Sequence, residues 1–243
     1  MRQLVDIAFV DGVATITLDS PANRNALSQQ LLVDLHSALD AAEESRARVV
    51  VLTHTPPVFC AGADLKERST GLVDSTSFVS AIERLGAMAA PVIAAVDGPV
   101  RAGGVGLMAA CDLIVVNPSI TFAFTEVRIG VAPAVITGPI LQRCGWSKMA
   151  GPYLTGEVFD AVRALDMGLI THITDDVVAT VAELSRNIML GGPIAVAATK
   201  RLLREVHSMA ELQALSESLF TSDEGLEGMT AFAEKRLPRW AQS

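Results

Sequence analysis

The stretch Phe59-Cys60-Ala61-Gly62-Ala63-Asp64-Leu65-Lys66-Glu67 joins a strand-like segment, 48–53, to a helix-like one. Pro56-Pro57 ends the strand, and small residues then form a turn at the start of the predicted helix. The first N–H groups of a helix have no partner within it, and their dipoles point outward. The turn centred on Gly62-Ala63-Asp64 is therefore a candidate site for a negatively charged oxygen.

A second turn of the same kind lies further along the chain. Residues 92–96 are a predicted strand, residues 97–101 a predicted loop, and residues 104–110 a predicted helix of small residues. The turn Ala102-Gly103-Gly104 lets a ligand carbonyl approach the backbone closely. Taken singly, such a turn more often reflects tight packing of a helix on a sheet. Oxyanion binding and helix packing therefore both stay open for each turn.

The chain is predicted to open with a β-hairpin. Residues 3–10 and 13–18 alternate apolar and polar positions around Asp11-Gly12, a dipeptide that accepts the positive φ angles of a tight turn. Ser28 is predicted to cap the helix that follows. Later strands are predicted at Leu113 to Val116 and Ile120 to Phe124. Half of the residues are hydrophobic but only 5% are aromatic, so we expect a core of Ala, Val, Ile and Leu, as in α/β proteins.

Helical patterns dominate from about residue 140 onward, apart from a strand-like segment at 169–174. Gly191-Gly192-Pro193 marks a plausible boundary. We therefore expect a core with the functional site over 1–190 and a helical oligomerisation region over 191–243. The amphipathic segments of that region are 194–206, 209–220 and 224–235. They are too few to bury their own apolar faces, so we expect them to pack on the core or on another subunit.

Bulk properties exclude several classes of protein. The chain has 243 residues and a net charge of −8, and no stripe of lysine and arginine runs through it, so nucleic-acid binding is not expected. An anionic ligand would need local cations, for which Arg24, Lys66 and Lys235 are candidates. Three scattered cysteines indicate neither disulfides nor a zinc site. No signal peptide or membrane span is apparent, and we expect a cytoplasmic protein.

Five stretches of the chain resemble signature segments of the enoyl-CoA hydratase/isomerase (crotonase) family. Residues 59–67 resemble the family's F-x-A-G-A-D-x-K-E. The others, in chain order, are Asn25-Ala26-Leu27, which resembles N-A-L; Val96-Asp97-Gly98 through Cys111-Asp112, which resembles A-V-N-G…G-G-G…C-D; Phe122 to Gly130, which resembles F-G-x-P-E-V-x-x-G; and Glu227 to Pro238, which resembles E-G-x-x-A-F-x-E-K-R-x-P. The resemblance therefore spans almost the entire chain.

The resemblance implies a fold, a substrate and an assembly. The fold is the ClpP/crotonase type of α/β fold, a spiral of ββα units with a C-terminal helical region. The substrate is an acyl-CoA, the coenzyme A thioester itself, and no separate cofactor is implied. The assembly is a homotrimer or a dimer of trimers, and the helical region would suit such an interface.

The resemblance also implies roles for individual residues. The backbone N–H groups of Ala63 and Gly103 would hold the thioester carbonyl oxygen, and each such donor contributes about 3 kcal/mol to stabilising an enolate. Residues expected to contact the acyl group or CoA are Arg24, Ala26, Leu27, Ala61, Asp64, Leu65, Gly104, Gly106 and Lys235. Lys235 would reach a CoA phosphate of a neighbouring subunit; otherwise it is a solvated helix lysine.

The most informative departure from the family concerns its two glutamates. The family's hydratases resemble one another in holding a water between two carboxylates; here Glu126 matches one and Gly106 stands at the other. Loss of a positioned acid or base lowers rate by about 10² to 10⁴-fold. Moving a proton from C2 to C4 needs only one carboxylate, and the family's isomerases resemble one another in relying on a single glutamate. The sequence therefore predicts isomerase-type or weakened hydratase chemistry with Glu126 as the acid/base.

Each of these residues has a structural alternative. Glu126 could be a surface glutamate paired with Arg128 or Arg143. Gly106 could permit a close helix contact. Arg101, where the family tends to be apolar, could be solvated or could contact a polar acyl group. Further departures at Ala123-Phe124-Thr125 and Ala134-Val135-Ile136-Thr137 predict a reshaped acyl pocket; these two segments replace the family's G-x-P and Gly-rich stretch.

Other functions remain open from the sequence. Residues 104–109 fit G-x-G-x-x-A, as in NAD-dependent dehydrogenases, but a loop intervenes after the strand and no acidic residue ends the next one. Cys60 and His54 are a nearby pair without the G-x-S-x-G elbow of hydrolases. The four histidines lack metal-ligand spacing. A non-catalytic acyl-CoA binding or shuttling protein, in which the oxyanion turns survive without turnover, is the remaining alternative.

Overall fold

Two β-sheets organise the protein in a computed structural model that describes residues 2–69 and 75–242. The strands are β1 (Val5–Val10), β2 (Val13–Leu18), β3 (Val49–His54), β4 (Val92–Val96), β5 (Val100–Arg101), β6 (Leu113–Val116), β7 (Thr121–Ala123), β8 (Val158–Asp160) and β9 (His172–Ile173). The helices are α1 (Gln29–Glu44), α2 (Leu65–Arg68), α3 (Thr76–Ala87), α4 (Gly103–Ala109), α5 (Thr137–Cys144), α6 (Trp146–Thr155), α7 (Ala161–Met167), α8 (Val177–Met189), α9 (Pro193–Arg204), α10 (Met209–Thr221) and α11 (Asp223–Ala233).

The larger sheet has the order β1-β2-β3-β4-β6-β9, and the smaller has the order β5-β7-β8. In the larger sheet only β1 and β2 pair antiparallel; the other neighbours are parallel. The predicted hairpin is confirmed, because β1 and β2 pair antiparallel. Asp11 and Gly12, which join the two strands, have positive φ angles of 47° and 77°. Parallel neighbours require crossovers, and these bring the chain through the smaller sheet.

The crossovers repeat one pattern, a strand in the larger sheet, a strand-like segment in the smaller one, and a helix. The segment after β3 joins the smaller sheet through a parallel bridge between Cys60 and Val100. Val100 in turn pairs with Phe122 in β7. Successive repeats therefore lie side by side, as a spiral of ββα units requires, and the predicted fold is confirmed.

The core lies between the sheets and helices. Ser28 caps α1 through its side chain, as predicted, and α1 buries one apolar face that includes Leu31, Leu35 and Leu39. Strand β4 is buried along its whole length, as expected of a parallel strand covered on both faces. Helix α8 covers the opposite face of the larger sheet with Val177 and Val181.

Some sequence predictions of secondary structure were wrong. The predicted loop 97–101 contains β5, whose two residues form a strand only because β7 lies beside them. The predicted helical run after residue 140 contains β8, which pairs antiparallel with β7. The strand predicted over 169–174 is reduced to β9.

The predicted C-terminal helical segments are confirmed as α9, α10 and α11. Helix α9 is anchored to the core because buried Lys200 and Arg204 both pair with Asp112, at 2.8 and 2.7 Å. The division at residue 190 stays a prediction. Among the described residues, no helix combines the length and apolar character needed to cross a membrane.

Candidate active site

Three successive repeats place their groups around one cavity of about 340 Å³. Its wall includes Ala63, Gly103 and Glu126. The neighbouring segments of the smaller sheet, at Cys60, Val100 and Phe122, explain this convergence, because each of the three groups follows its segment by three or four residues. The structure therefore brings the predicted catalytic residues together.

The first candidate oxyanion turn, Gly62-Ala63-Asp64, is held by the segment that precedes α1. The Leu27 N–H donates to the Gly62 carbonyl at 2.8 Å, and the Ala61 N–H donates to the Arg24 carbonyl at 3.1 Å. Gly62 has a φ of 90°, which favours glycine. Within the described residues the Ala63 N–H donates to no other protein group. It is available to a ligand oxygen.

The second turn forms the start of α4. Ala102 has φ 49° and ψ −122°, a conformation rarely adopted by residues with a side chain, and its N–H donates to the Ala123 carbonyl at 2.9 Å. The Gly103 N–H has no protein acceptor among the described residues. A Cβ at Gly103 would lie 2.9 Å from Cδ1 of Leu27. Leu27 therefore supports both turns, the first through its backbone and the second through its side chain.

Glu126 lies on a 3-10 turn, Thr125–Ile129, at the wall of the cavity. Its Oε2 atom is sealed from solvent and has no hydrogen-bond partner among the described residues. Burial raises the pKa of Glu126 above its ordinary value of 4.5, with its own backbone N–H acting in the opposite direction. A half-buried carboxylate with a raised pKa in a cavity is typical of acid/base catalysts.

The alternative that Glu126 is a surface residue paired with an arginine is wrong. Arg128 donates to the Thr155 carbonyl at 3.2 Å. Arg143 donates to the carbonyls of Ala109, Cys111 and Asp112, at the end of α4. Both guanidinium groups are thus engaged elsewhere, and Glu126 faces the cavity uncompensated.

Gly106 permits a close contact of helix α4 with its neighbour, which is the structural alternative given for this residue from the sequence. A Cβ at this position would lie 2.5 Å from Cβ of Ile136 and still closer to its Cγ2. Ile136 is only 2% exposed and lines the cavity just before α5. The space that a side chain at position 106 would take is therefore filled by an apolar group.

The other predicted contact residues divide into two groups. Ala61 and Leu65 line the cavity. Asp64 does not, because its carboxylate caps α2 by accepting the N–H groups of Lys66 and Glu67.

The remaining predicted contacts, Gly106 among them, lie away from the cavity wall. Ala26 and Leu27 are buried behind the first turn. Gly104 packs on Cys60, because a Cβ added at position 104 would lie 2.6 Å from the Cβ of Cys60. Arg24 and Lys235 are exposed, and Lys235 follows α11. Neither residue lines the cavity, so the contacts of Arg24 and Lys235 with CoA stay predictions.

Sequence reasoning found only part of the apolar wall. Val135 and Ile136 lie in the segment 134–137 that was predicted to reshape the acyl pocket, and both line the cavity. The missed residues are Phe78 on α3, and Ile129 and Val131 at the end of the turn that carries Glu126. No single local motif marks these three residues.

Arg101 does not line the cavity. Its guanidinium donates to the carbonyl and hydroxyl of Thr121, and burial lowers its pKa. The interpretation of a solvated loop arginine is therefore wrong, and nothing supports contact with an acyl group. Arg101 joins β5 to β7.

The structure gives no support to the other enzyme classes. Burial raises the pKa of the Cys60 thiol to about 12, and Nε2 of His54 accepts the Asp97 N–H at 3.1 Å, so the pair cannot act as nucleophile and base. Gly104 and Gly106 of the dinucleotide-like pattern serve helix packing. Among the described residues, no group of three or more His, Cys, Asp or Glu side chains could hold a metal ion.

A larger cavity, of about 430 Å³, lies between the ends of α1 and α3 and the start of α9. Its charged residues include Glu43, which pairs with Arg84, and Arg48, which donates to the Met189 and Gly191 carbonyls. It contains neither oxyanion turn. The smaller cavity is therefore the better candidate for chemistry.

Comparison with known proteins finds one family over nearly the whole chain. A family model described as enoyl-CoA hydratase/isomerase matches residues 8–243. The enoyl-CoA isomerase/hydratase fer4 of Mycosarcoma maydis is 31% identical, over 95% of this chain and 93% of that protein.

Solved structures are similar over nearly their full length. An enoyl-CoA hydratase from Mycobacterium avium is 43% identical with a TM-score of 0.75, over 99% of this chain and 100% of that one. An enoyl-CoA hydratase from Mycobacterium smegmatis is 28% identical with a TM-score of 0.92, over 98% and 99% of the two chains. The chain therefore belongs to the enoyl-CoA hydratase/isomerase family.

Proposed function

We propose that this protein isomerises an enoyl-CoA, moving a proton from C2 to C4 of a 3-enoyl-CoA with Glu126 as its single acid/base. The observation that carries the proposal is the contact between Gly106 and Ile136, because it fills the place of a second carboxylate with an apolar side chain. Hydration needs a water held between two such groups, whereas isomerisation needs one.

The reaction begins at the thioester. The N–H groups of Ala63 and Gly103 bind its carbonyl oxygen, and Glu126 removes a proton from C2. The resulting dienolate carries negative charge on that oxygen, where the two N–H groups stabilise it more strongly than the neutral carbonyl. Protonated Glu126 then returns the proton to C4, and the double bond moves from C3–C4 to C2–C3.

The raised pKa of Glu126 suits both halves of this cycle. Burial makes the carboxylate a stronger base than a solvated glutamate, and the acid form is readily held until C4 is protonated. The apolar wall excludes water, which would otherwise compete for the proton. Phe78, Val131 and Ile136 supply part of this wall and would contact an apolar acyl chain.

A panel of 2-enoyl-CoA and 3-enoyl-CoA substrates, assayed separately for hydration and isomerisation, tests the proposal. We expect isomerisation of the 3-enoyl substrates to be faster than hydration of the 2-enoyl ones. Faster hydration would overturn the proposal. Binding of acyl-CoA without turnover would instead favour the non-catalytic binding protein, which the missing second carboxylate also allows.

We also propose that the protein assembles as a homotrimer or a dimer of trimers. Apolar residues stay uncovered on the C-terminal helices, where Phe232 is 87% exposed, and on α6, where Leu154 is 79% exposed. Large apolar side chains left exposed in this way suit an interface between subunits. Light scattering on the purified protein would measure the assembly, and a monomer at micromolar concentration would contradict it.

We propose that Lys235 binds the phosphate of a CoA held by a neighbouring subunit of this assembly. Its side chain is exposed and does not line the cavity of its own subunit. Lys235→Ala should raise KM for an acyl-CoA but not for the matched acyl-pantetheine, which lacks the nucleotide phosphates. Equal effects on the two substrates would argue for a solvated lysine. We further propose a cytoplasmic setting, which three free buried cysteines favour, and no cofactor beyond the CoA thioester.

A further inference from the structure

The chain has one tyrosine, Tyr153, on α6. Its ring lies against Phe124, with the ring centres 4.5 Å apart and the planes inclined by 47°. Its hydroxyl is sealed from solvent and has no partner at strict hydrogen-bond geometry within the described residues, although the Thr137 hydroxyl is near enough to lower its pKa. A buried hydroxyl without a well-placed partner is destabilising, so it calls for a functional explanation.

Glu126 presents the complementary problem nearby. It lies two residues after Phe124, and its Oε2 atom is also sealed and unpartnered among the described residues. The turn that carries Glu126 is tied to the end of α6 by the hydrogen bond from Arg128 to the Thr155 carbonyl. A donor and an acceptor without partners are thus held on two elements in contact.

Electrostatics agree with this geometry. Burial raises the pKa of Tyr153 to about 12, the Thr137 hydroxyl opposes the rise, and the negative charge of Glu126 adds to it. Tyr153 therefore keeps its proton at neutral pH and can act only as a donor toward a carboxylate.

We propose that Tyr153 is a positioning residue whose hydroxyl donates to Oε2 of Glu126 through one bridging water. This inference rests on the proposed role of Glu126 as acid/base. A buried water needs two to four polar partners, and the Thr137 hydroxyl, which itself donates to the Pro133 carbonyl at 2.8 Å, supplies a third. The bridge fixes one carboxylate oxygen and leaves the other to face C2 and C4 of the acyl group.

The sign of the effect follows from the donor. A hydrogen bond to the ionised carboxylate stabilises the charged form and lowers the pKa of Glu126 relative to an unbridged carboxylate. Loss of the Tyr153 hydroxyl should therefore raise the Glu126 pKa further. A residue that served packing alone would change stability without moving this pKa.

The test is a carbon-13 NMR titration of the Glu126 carboxyl in uniformly glutamate-labelled protein, assigned by its loss in Glu126→Gln. We expect Tyr153→Phe to raise the pKa of Glu126 by about one pH unit. The control is Phe159→Leu, which alters the same aromatic cluster without removing a polar group, since the ring centres of Phe159 and Phe124 are 5.9 Å apart. It should leave the pKa unchanged.

A second arm uses the single tyrosine. Growth with 3-fluorotyrosine labels Tyr153 alone, and its more acidic hydroxyl is a stronger donor, so the Glu126 pKa should fall. Unchanged titration in Tyr153→Phe, or an equal shift in Phe159→Leu, would overturn the inference. Because NMR needs no turnover, failure here is distinguishable from failure of the proposed isomerisation, which the substrate panel decides.

Discussion

Positions 106 and 126 differ completely in their relation to the cavity, because Glu126 lines it whereas Gly106 lies behind Ile136, which does. At 126 a carboxylate projects into the cavity region with one oxygen sealed and unpaired among the described residues. At 106 a glycine lies against Ile136, so no side chain fits. The difference teaches that the loss of a carboxylate here is built into the packing of α4 against the start of α5. A single substitution at Gly106 does not reverse it.

The largest effect should come from removing the charge at 126. Glu126→Gln keeps the shape of the side chain but removes the base, and kcat for 3-enoyl-CoA isomerisation should fall by about 10² to 10⁴-fold. The matched control is Glu157→Gln, which removes an exposed partner of Arg163 and should leave kcat unchanged. Retained activity in Glu126→Gln would show that the carboxylate at position 126 is not the acid/base.

The packing at 106 is tested by adding one methyl group. Gly106→Ala should lower the free energy of unfolding by about 1–3 kcal/mol, because its Cβ would overlap Ile136. Gly138→Ala is the control, since Gly138 lies in α5 and has nothing within 4 Å of an added Cβ. It should be neutral or stabilising by up to about 1 kcal/mol. Chemical denaturation measures both, and equal stabilities would show that Ile136 yields easily.

A double substitution asks whether the two positions can be made alike. Gly106→Glu with Ile136→Gly supplies a carboxylate and frees the space it needs, so hydration of 2-enoyl-CoA should rise by at least about tenfold over wild type. Gly106→Glu alone should not gain hydration, because Ile136 blocks it. A gain in the single variant would show that Ile136 does not control the choice of reaction.

The smallest effect is the pH dependence of the wild type. Glu126 acts as a base in its ionised form, and burial raises its pKa above 4.5. The value of kcat/KM should therefore rise with pH through that raised pKa and level off above it. A profile whose rising limb lies at or below 4.5 would mean that Glu126 is solvated in the working enzyme.

Local patterns were enough to predict the hairpin, the capped helix α1 and the two turns at 62–64 and 102–104. Asp11-Gly12 and Ser28 carry backbone preferences that tertiary structure did not override. The convergence of Ala63, Gly103 and Glu126 on one cavity came from the family resemblance, because their spacing along the chain says nothing about distance in space.

Features that depend on distant neighbours could not be predicted. Strand β5 has two residues and exists through its pairing with β7. Ile136 fills the space at Gly106 across a gap of thirty positions in the chain. The contact of Tyr153 with Phe124 likewise follows from the packing of α6, and no motif in the sequence marks either residue pair.

The most direct test of the single-carboxylate account follows a label from C2. A 3-enoyl-CoA deuterated at C2 should give, in a single turnover by the wild type in ordinary water, a 2-enoyl-CoA in which part of the deuterium has moved to C4. One group that removes and returns the same proton requires this transfer. A product with only solvent hydrogen at C4, accompanied by hydrated product, would contradict the account.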